Sequence, residues 1–160
     1  MQSTLHQLYG PTGIFRSQAQ EDAVDAVVNG VSPLCIIQPT GTGKSVSFMI
    51  PAMFPDAKST CIVTLLAEDM LRRCKGAGID CIIYGRVAPR MARIIIVVTE
   101  SATSSSFTQF MLDIYLKARL DRIVFDEIHQ LVTDTKQAYS SGTVCLSDSH
   151  IPTVVDRPVQ

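Results

Sequence analysis

A chain of 160 residues has the length of one domain: enough to bury a substantial core, too little for two domains of ordinary size. Hydrophobic residues at 46% and charged residues at 18%, with nine glycines and eight prolines scattered along the chain, exclude a disordered or low-complexity protein. The net charge of -1, without long runs of either sign, neither announces nor excludes a nucleic-acid partner. The opening MQSTLHQLYG lacks the basic start and apolar stretch of a secretory signal, and no run reaches the ~18 apolar residues that span a bilayer, so no membrane partner is expected. The five cysteines form no metal-ligand spacing, and several lie in apolar runs. They read as reduced, buried thiols of an intracellular protein.

In chain order, Ser17 and Gln20 have capping-box spacing, and Ala19, Ala23, Val24, Val27 and Val28 then share a helical face until Asn29-Gly30 stops it. Leu34-Cys35-Ile36-Ile37 is a short buried strand that feeds Gln38-Pro39-Thr40-Gly41-Thr42-Gly43-Lys44-Ser45. A helix should start near Lys44 and be disturbed by Pro51. Strands are expected over 60–65, 79–84 and 93–99, with a helix over 67–75 closed by Gly76 and Gly78. Phe107, Phe110, Met111, Ile114, Tyr115 and Ala118 have helical spacing, and Arg122-Ile123-Val124-Phe125 leads into Asp126-Glu127-Ile128-His129. Strands that are apolar without alternation belong to a parallel sheet covered on both faces, so the fold class is α/β, a mostly parallel sheet with helices on both faces. From 140 onward the pattern fades, and 140–160 is expected to be an irregular tail.

Two segments carry chemistry. Gly41, Gly43, Lys44 and Ser45 lie where a strand turns into a helix, the context that makes a glycine-rich turn a phosphate site. Backbone N–H groups would face the phosphate oxygens, Lys44 would reach the β and γ phosphates, and Ser45 would hold Mg²⁺. Gln38 stands where the strict pattern has its first glycine. Asp126 and Glu127 follow an apolar strand at the edge where parallel sheets bind ligands. There Asp126 can hold Mg²⁺ through water and Glu127 can orient and deprotonate an attacking water.

The order Phe15-Arg16-Ser17…Gln20, Pro39-Thr40-Gly41-Thr42-Gly43-Lys44-Ser45, Val98-Thr99-Glu100-Ser101 and Asp126-Glu127-Ile128-His129 resembles the first RecA-like domain of superfamily 2 helicases, and RecQ-like DNA helicases most. The resemblance runs from 15 to about 135 and is specific in the phosphate loop and the DExH box. It implies a RecA-like P-loop fold over 15–139 after a lead of 1–14, ATP and Mg²⁺ as cofactors, and single-stranded or partly duplex DNA as partner. It further implies that Thr40 and Thr42 complete the loop, that Gln20 reads adenine within a frame made by Phe15 and Arg16, and that His129 couples the ATP site to DNA. Segments 64–66 and 99–101 would lie against the DNA strand. No Ser/Thr-Ala-Thr motif follows Asp126, so the 160 residues read as a fragment that lacks the second motor domain, and a second RecA-like domain in another chain is an expected partner. A nuclear location goes with the RecQ-like reading. The competing readings are a P-loop ATPase unrelated to helicases and a non-catalytic nucleotide- or nucleic-acid-binding remnant.

Overall fold

In the computed structural model residues 2–39, 41–86, 90–126 and 142–147 are described, the last six by their backbone. Helix α1 spans Gln2–Tyr9 and α2 Gln18–Val28; strand β1 is Leu34–Ile37 and α3 is Val46–Ala52. There follow β2 (Ser59–Thr64), α4 (Ala67–Gly76), β3 (Cys81–Ile83) and β4 (Ile94–Val98). The order closes with α5 (Thr99–Ala102), α6 (Ser105–Leu116), β5 (Leu120–Phe125) and β6 (Gly142–Ser147).

Local chemistry sets the helix ends. The Ser17 hydroxyl accepts the Gln20 N–H at 3.2 Å and so starts α2. Ser104 does the same for Phe107 at 3.2 Å, which places the start of α6 two residues before the first apolar position of its helical pattern. Helix α4 carries Glu68 and Asp69 in its first turn and Arg73 and Lys75 in its last, the arrangement its dipole favours. Pro51 lies inside α3, where it has no N–H to donate, and the helix ends one residue later.

The strands form one sheet in the order β1-β6-β5-β2-β4-β3. Strands β5, β2, β4 and β3 run parallel, as expected, while β6 is antiparallel to both β5 and β1. The stretch 140–160 therefore departs from the irregular tail its composition suggested, since 142–147 are in the sheet. The facing edges of β1 and β5 are both hydrogen-bonded by β6, a pairing between distant segments that periodicity cannot report. The lead 1–14 likewise contains a helix, with Leu5 fully buried against Val24, Val46 and Ile50.

Alternation along the strands explains why they read as continuously apolar. Ile62, Ile94, Ile96, Ile83 and Val124 face the side of α2, α3 and α4. Cys61, Val63, Val97, Ile82 and Ile95 face α6 instead, packing around Phe107 and Ile114. Over β2, β3 and β4 both faces are dry, as in a doubly wound sheet.

Cys61, Cys74 and Cys81 are buried as expected, but Cys35 is exposed, because among the described residues no helix covers its face of β1. Burial pushes the Cys61 and Cys74 thiols from an ordinary value of 9.0 up to about 12. The unfolded chain therefore releases these protons while the folded chain keeps them, and stability is lost as pH rises from 9.0 towards about 12. Denaturant unfolding followed across that interval should show a falling midpoint, and Cys61→Ala should flatten the fall. With a thiol reagent at neutral pH, Cys35 should react well before Cys61, Cys74 or Cys81.

Candidate functional site

Strand β1 ends at Ile37 and the chain turns through 38–45 into α3, while β5 ends at Phe125 and delivers Asp126. Since β6 is antiparallel to both, β1 and β5 point the same way with one strand between them. Their C-terminal ends open on one edge about 10 Å apart, two strand spacings. A cavity of about 540 Å³ lies there, bordered by Gly41, Gly43, Lys44 and Ser45 on one side and by Asp126 on the other. The Asp126 N–H is anchored to the Val63 carbonyl at 2.9 Å, so its position is tied to the centre of the sheet.

The turn is held from within. The Thr42 hydroxyl donates to the Pro39 carbonyl at 2.8 Å and lies 3.3 Å from Gln38 Oε1. Lys44 is largely buried, and its Nζ donates to the Gln38 carbonyl at 3.1 Å. Gln38, which occupies the place of the missing glycine, thus supplies acceptors to the loop from both its side chain and its main chain. Gly41 and Gly43 have φ of 83° and 86°, in the left-handed region. Ser45 precedes α3 and makes no capping bond with its side chain.

Gln20 is only 2% exposed. Its Oε1 accepts the Arg16 N–H at 2.9 Å, and its Nε2 donates to the carbonyls of Thr42 at 3.0 Å and Gly43 at 3.1 Å. The amide thereby ties the start of α2 to the phosphate loop with both of its hydrogens, in addition to the backbone cap at Ser17. Arg16 reinforces the tie by donating to the Gly41 carbonyl at 2.8 Å.

Tyr9, at the end of α1, was not recognised from the sequence. It lines the cavity beside Arg16, whose guanidinium carbon lies 6.0 Å from the centre of the ring. Burial raises its phenol above the usual value against the opposing Arg16 charge, so the hydroxyl stays protonated. An aromatic residue just before Gly10 and six before Phe15 was the available signal. Phe15 packs into the α1–α2–α3 cluster instead of the cavity wall.

Of the other predicted residues, Thr40, Glu127 and His129 lie outside the described residues. Leu65 and Leu66 are exposed after β2, and Thr99–Ala102 form α5 directly after β4, so both segments lie on the same edge as the phosphate loop. The basic residues of α4 are largely matched: Asp69 pairs with Arg72 at 3.1 Å and Arg73 at 2.6 Å, and Glu68 pairs with Arg86. Such exposed pairs describe a solvated helix face. Arg73 also borders the cavity.

The sequence profile of the DEAD/DEAH box helicase family matches residues 17–150. Over 80 residues the chain is 29% identical to a probable ATP-dependent DNA helicase RecS of Bacillus subtilis (strain 168), a match covering 49% of this chain and 16% of the relative. Over 67 residues it is 33% identical to ATP-dependent DNA helicase Q5 of Mus musculus, covering 42% of this chain and 7% of that protein. The matched region is thus a small part of either relative.

A Cβ on Gly43 would lie 2.7 Å from Gln20 Nε2. Gly43→Ala should cost about 1–3 kcal/mol, combining the left-handed backbone with displacement of the Gln20 amide. In a Gln20→Ala background only the backbone part, about 1–2 kcal/mol, should remain. A double-mutant cycle by urea unfolding measures the difference; strictly additive losses would show that the amide does not press on this glycine.

Proposed function

Because the chain belongs to the DEAD/DEAH box helicase family, we propose that it is the first RecA-like domain of a RecQ-like DNA helicase, binding ATP with Mg²⁺ to drive movement on DNA. The observation that supports this most is the single cavity on which the Gly41–Ser45 turn, Asp126 and the Tyr9–Arg16 pair converge. One wall suits phosphates, the other a flat base.

In this reading the N–H groups of the turn and the Lys44 ammonium take the β and γ phosphates, and Lys44 exchanges the Gln38 carbonyl for phosphate oxygen when nucleotide enters. Mg²⁺ fits the donors present, since the Ser45 hydroxyl is not spent on a cap and Asp126 adds a carboxylate to the same cavity. When bound, the metal neutralises phosphate charge. Glu127 orients and deprotonates the water, Thr40 and Thr42 shape the loop, and His129 couples the site to DNA. Tyr9 and Arg16 hold the base by stacking, and Gln20 would reach the adenine edge only by exchanging its bonds to the Thr42 and Gly43 carbonyls for the base.

A single DNA strand would cross segments 64–66 and 99–101, beyond the ends of β2 and β4. The second RecA-like domain, in this polypeptide or another, would close over the nucleotide and contribute arginines aimed at the transferred phosphoryl group. Among the described residues no helix is long and apolar enough to cross a membrane. A nuclear location accords with DNA as the partner.

Calorimetry with the 160-residue chain should show Mg²⁺-dependent ATP binding that Lys44→Ala abolishes while the chain still unfolds cooperatively, its stability lowered by about 1–3 kcal/mol through loss of the bond to the Gln38 carbonyl; equal affinity in the variant would remove the phosphate-loop assignment. Arg16 and Arg73 border the cavity, but the first is bonded to Gly41 and the second to Asp69. Turnover by these residues alone should therefore fall short of a complete motor by roughly 10³ to 10⁵, the usual worth of a properly aimed arginine. Phosphate release near one per second, stimulated by single-stranded DNA and lost in Glu127→Gln, would contradict that expectation.

A further inference from the structure

Lys58, Arg93 and Arg119 each stand immediately before a strand: β2 opens at Ser59, β4 at Ile94 and β5 at Leu120. The three strands are parallel neighbours in the order β5-β2-β4, so the three cations form a row along the sheet edge opposite the phosphate loop. Main-chain bonds keep the row in step, with Ser59 N–H donating to the Arg119 carbonyl at 2.9 Å and Thr60 N–H to the Arg93 carbonyl at 2.8 Å. Two strand spacings give the row a length of about 10 Å at the backbone. It borders a separate cavity of about 360 Å³.

The charges in this cavity are not balanced by its own carboxylates. Lys58 and Arg119 are exposed, Arg93 is half-buried, and none of the three forms an ion pair among the described residues. Arg93 donates to the Pro55 carbonyl at 2.8 Å, which fixes its head group without neutralising it. Asp80 is the one carboxylate on the lining; Arg90 grips both its oxygens at 2.6 and 2.9 Å, and Arg93 is near enough to add to the stabilisation of its charge, so one carboxylate faces the three cations and Arg90 together. Asp121, next along, accepts the main-chain N–H of Lys58 at 2.7 Å. Three like charges around a concave surface attract a multivalent anion more strongly than a lone surface cation would.

We propose that this pocket is a second phosphate site that takes consecutive phosphates, from a free oligophosphate or from the backbone of a nucleic-acid strand. Two guanidinium groups grip phosphate oxygens in pairs and the lysine adds a mobile point charge. The site needs neither the nucleotide cavity nor the reading given to it.

The test uses the full chain carrying Lys44→Ala, so that the phosphate loop does not answer for the anion, and the unsubstituted chain saturated with Mg²⁺–ADP as a second background. Tripolyphosphate and a short oligothymidine are titrated at low salt while the amide signals of Ser59, Ile94 and Leu120 are followed by NMR. Binding should move these signals, and Lys58→Ala with Arg119→Ala should weaken it about tenfold. Arg72→Ala with Arg86→Ala, an equal charge change at exposed positions elsewhere, should leave it within about twofold. Loss of both probes in the first double variant assigns the site to nucleic-acid backbone as well as free anion; loss of tripolyphosphate alone assigns it to free oligophosphate. No shift at the three amides, or equal weakening by both double variants, would overturn the proposal.

Discussion

Strand β2 is the element from which the rest of the domain is hung. All six of its residues are buried, it is paired in parallel on both sides, and both of its faces are covered by helices. A strand in that position cannot leave a polar group unmatched without losing on the order of 1–3 kcal/mol, and its polar side chains are matched. Ser59 donates to the Ala92 carbonyl at 2.7 Å, Arg122 approaches the Thr60 hydroxyl at 3.5 Å, and Thr64 accepts the Leu66 N–H at 3.1 Å. The same strand carries Asp126 on its Val63 carbonyl at one end and holds Arg119 in place through Ser59 at the other. Both sites are therefore set by one ladder.

Parallel pairing also decides what the two edges can be. At the C-terminal edge, separate strands deliver the phosphate loop and a carboxylate to facing sides of a cavity, with β6 between them as spacer. At the N-terminal edge, chain segments enter from helices and turns, and three of them place a cation at the entry point. A sheet with alternating strand directions would mix these two populations on each edge.

The phosphate loop is shaped by its neighbours as much as by its glycines. Gln20 and Arg16 hold the carbonyls of Gly41, Thr42 and Gly43, and Lys44 rests on Gln38. These bonds keep the turn open enough for Gly43 to approach the Gln20 amide, a contact that any larger residue would disturb. On the proposed reading, nucleotide entry would exchange one set of charge-assisted bonds for another, which favours a loop that is ordered before its ligand arrives.

Residues with strong local signals were legible without coordinates. The apolar run of β4, the apolar centre Cys61-Ile62-Val63 of β2, the Ser17 cap, and the glycine-bearing turn after Ile37 each encode their conformation in a few adjacent positions. The family resemblance followed from the same short motifs, because phosphate chemistry restricts which residues can surround it. Other features depend on residues far apart in the chain. The insertion of 142–147 beside β1, the seating of Tyr9 on the cavity wall, the bonding of the Gln20 amide to a loop 22 positions away, and the alignment of Lys58, Arg93 and Arg119 came only from packing. Periodicity and spacing report the conformation of a segment but not which distant segment lies beside it, and in a parallel sheet every neighbour is distant.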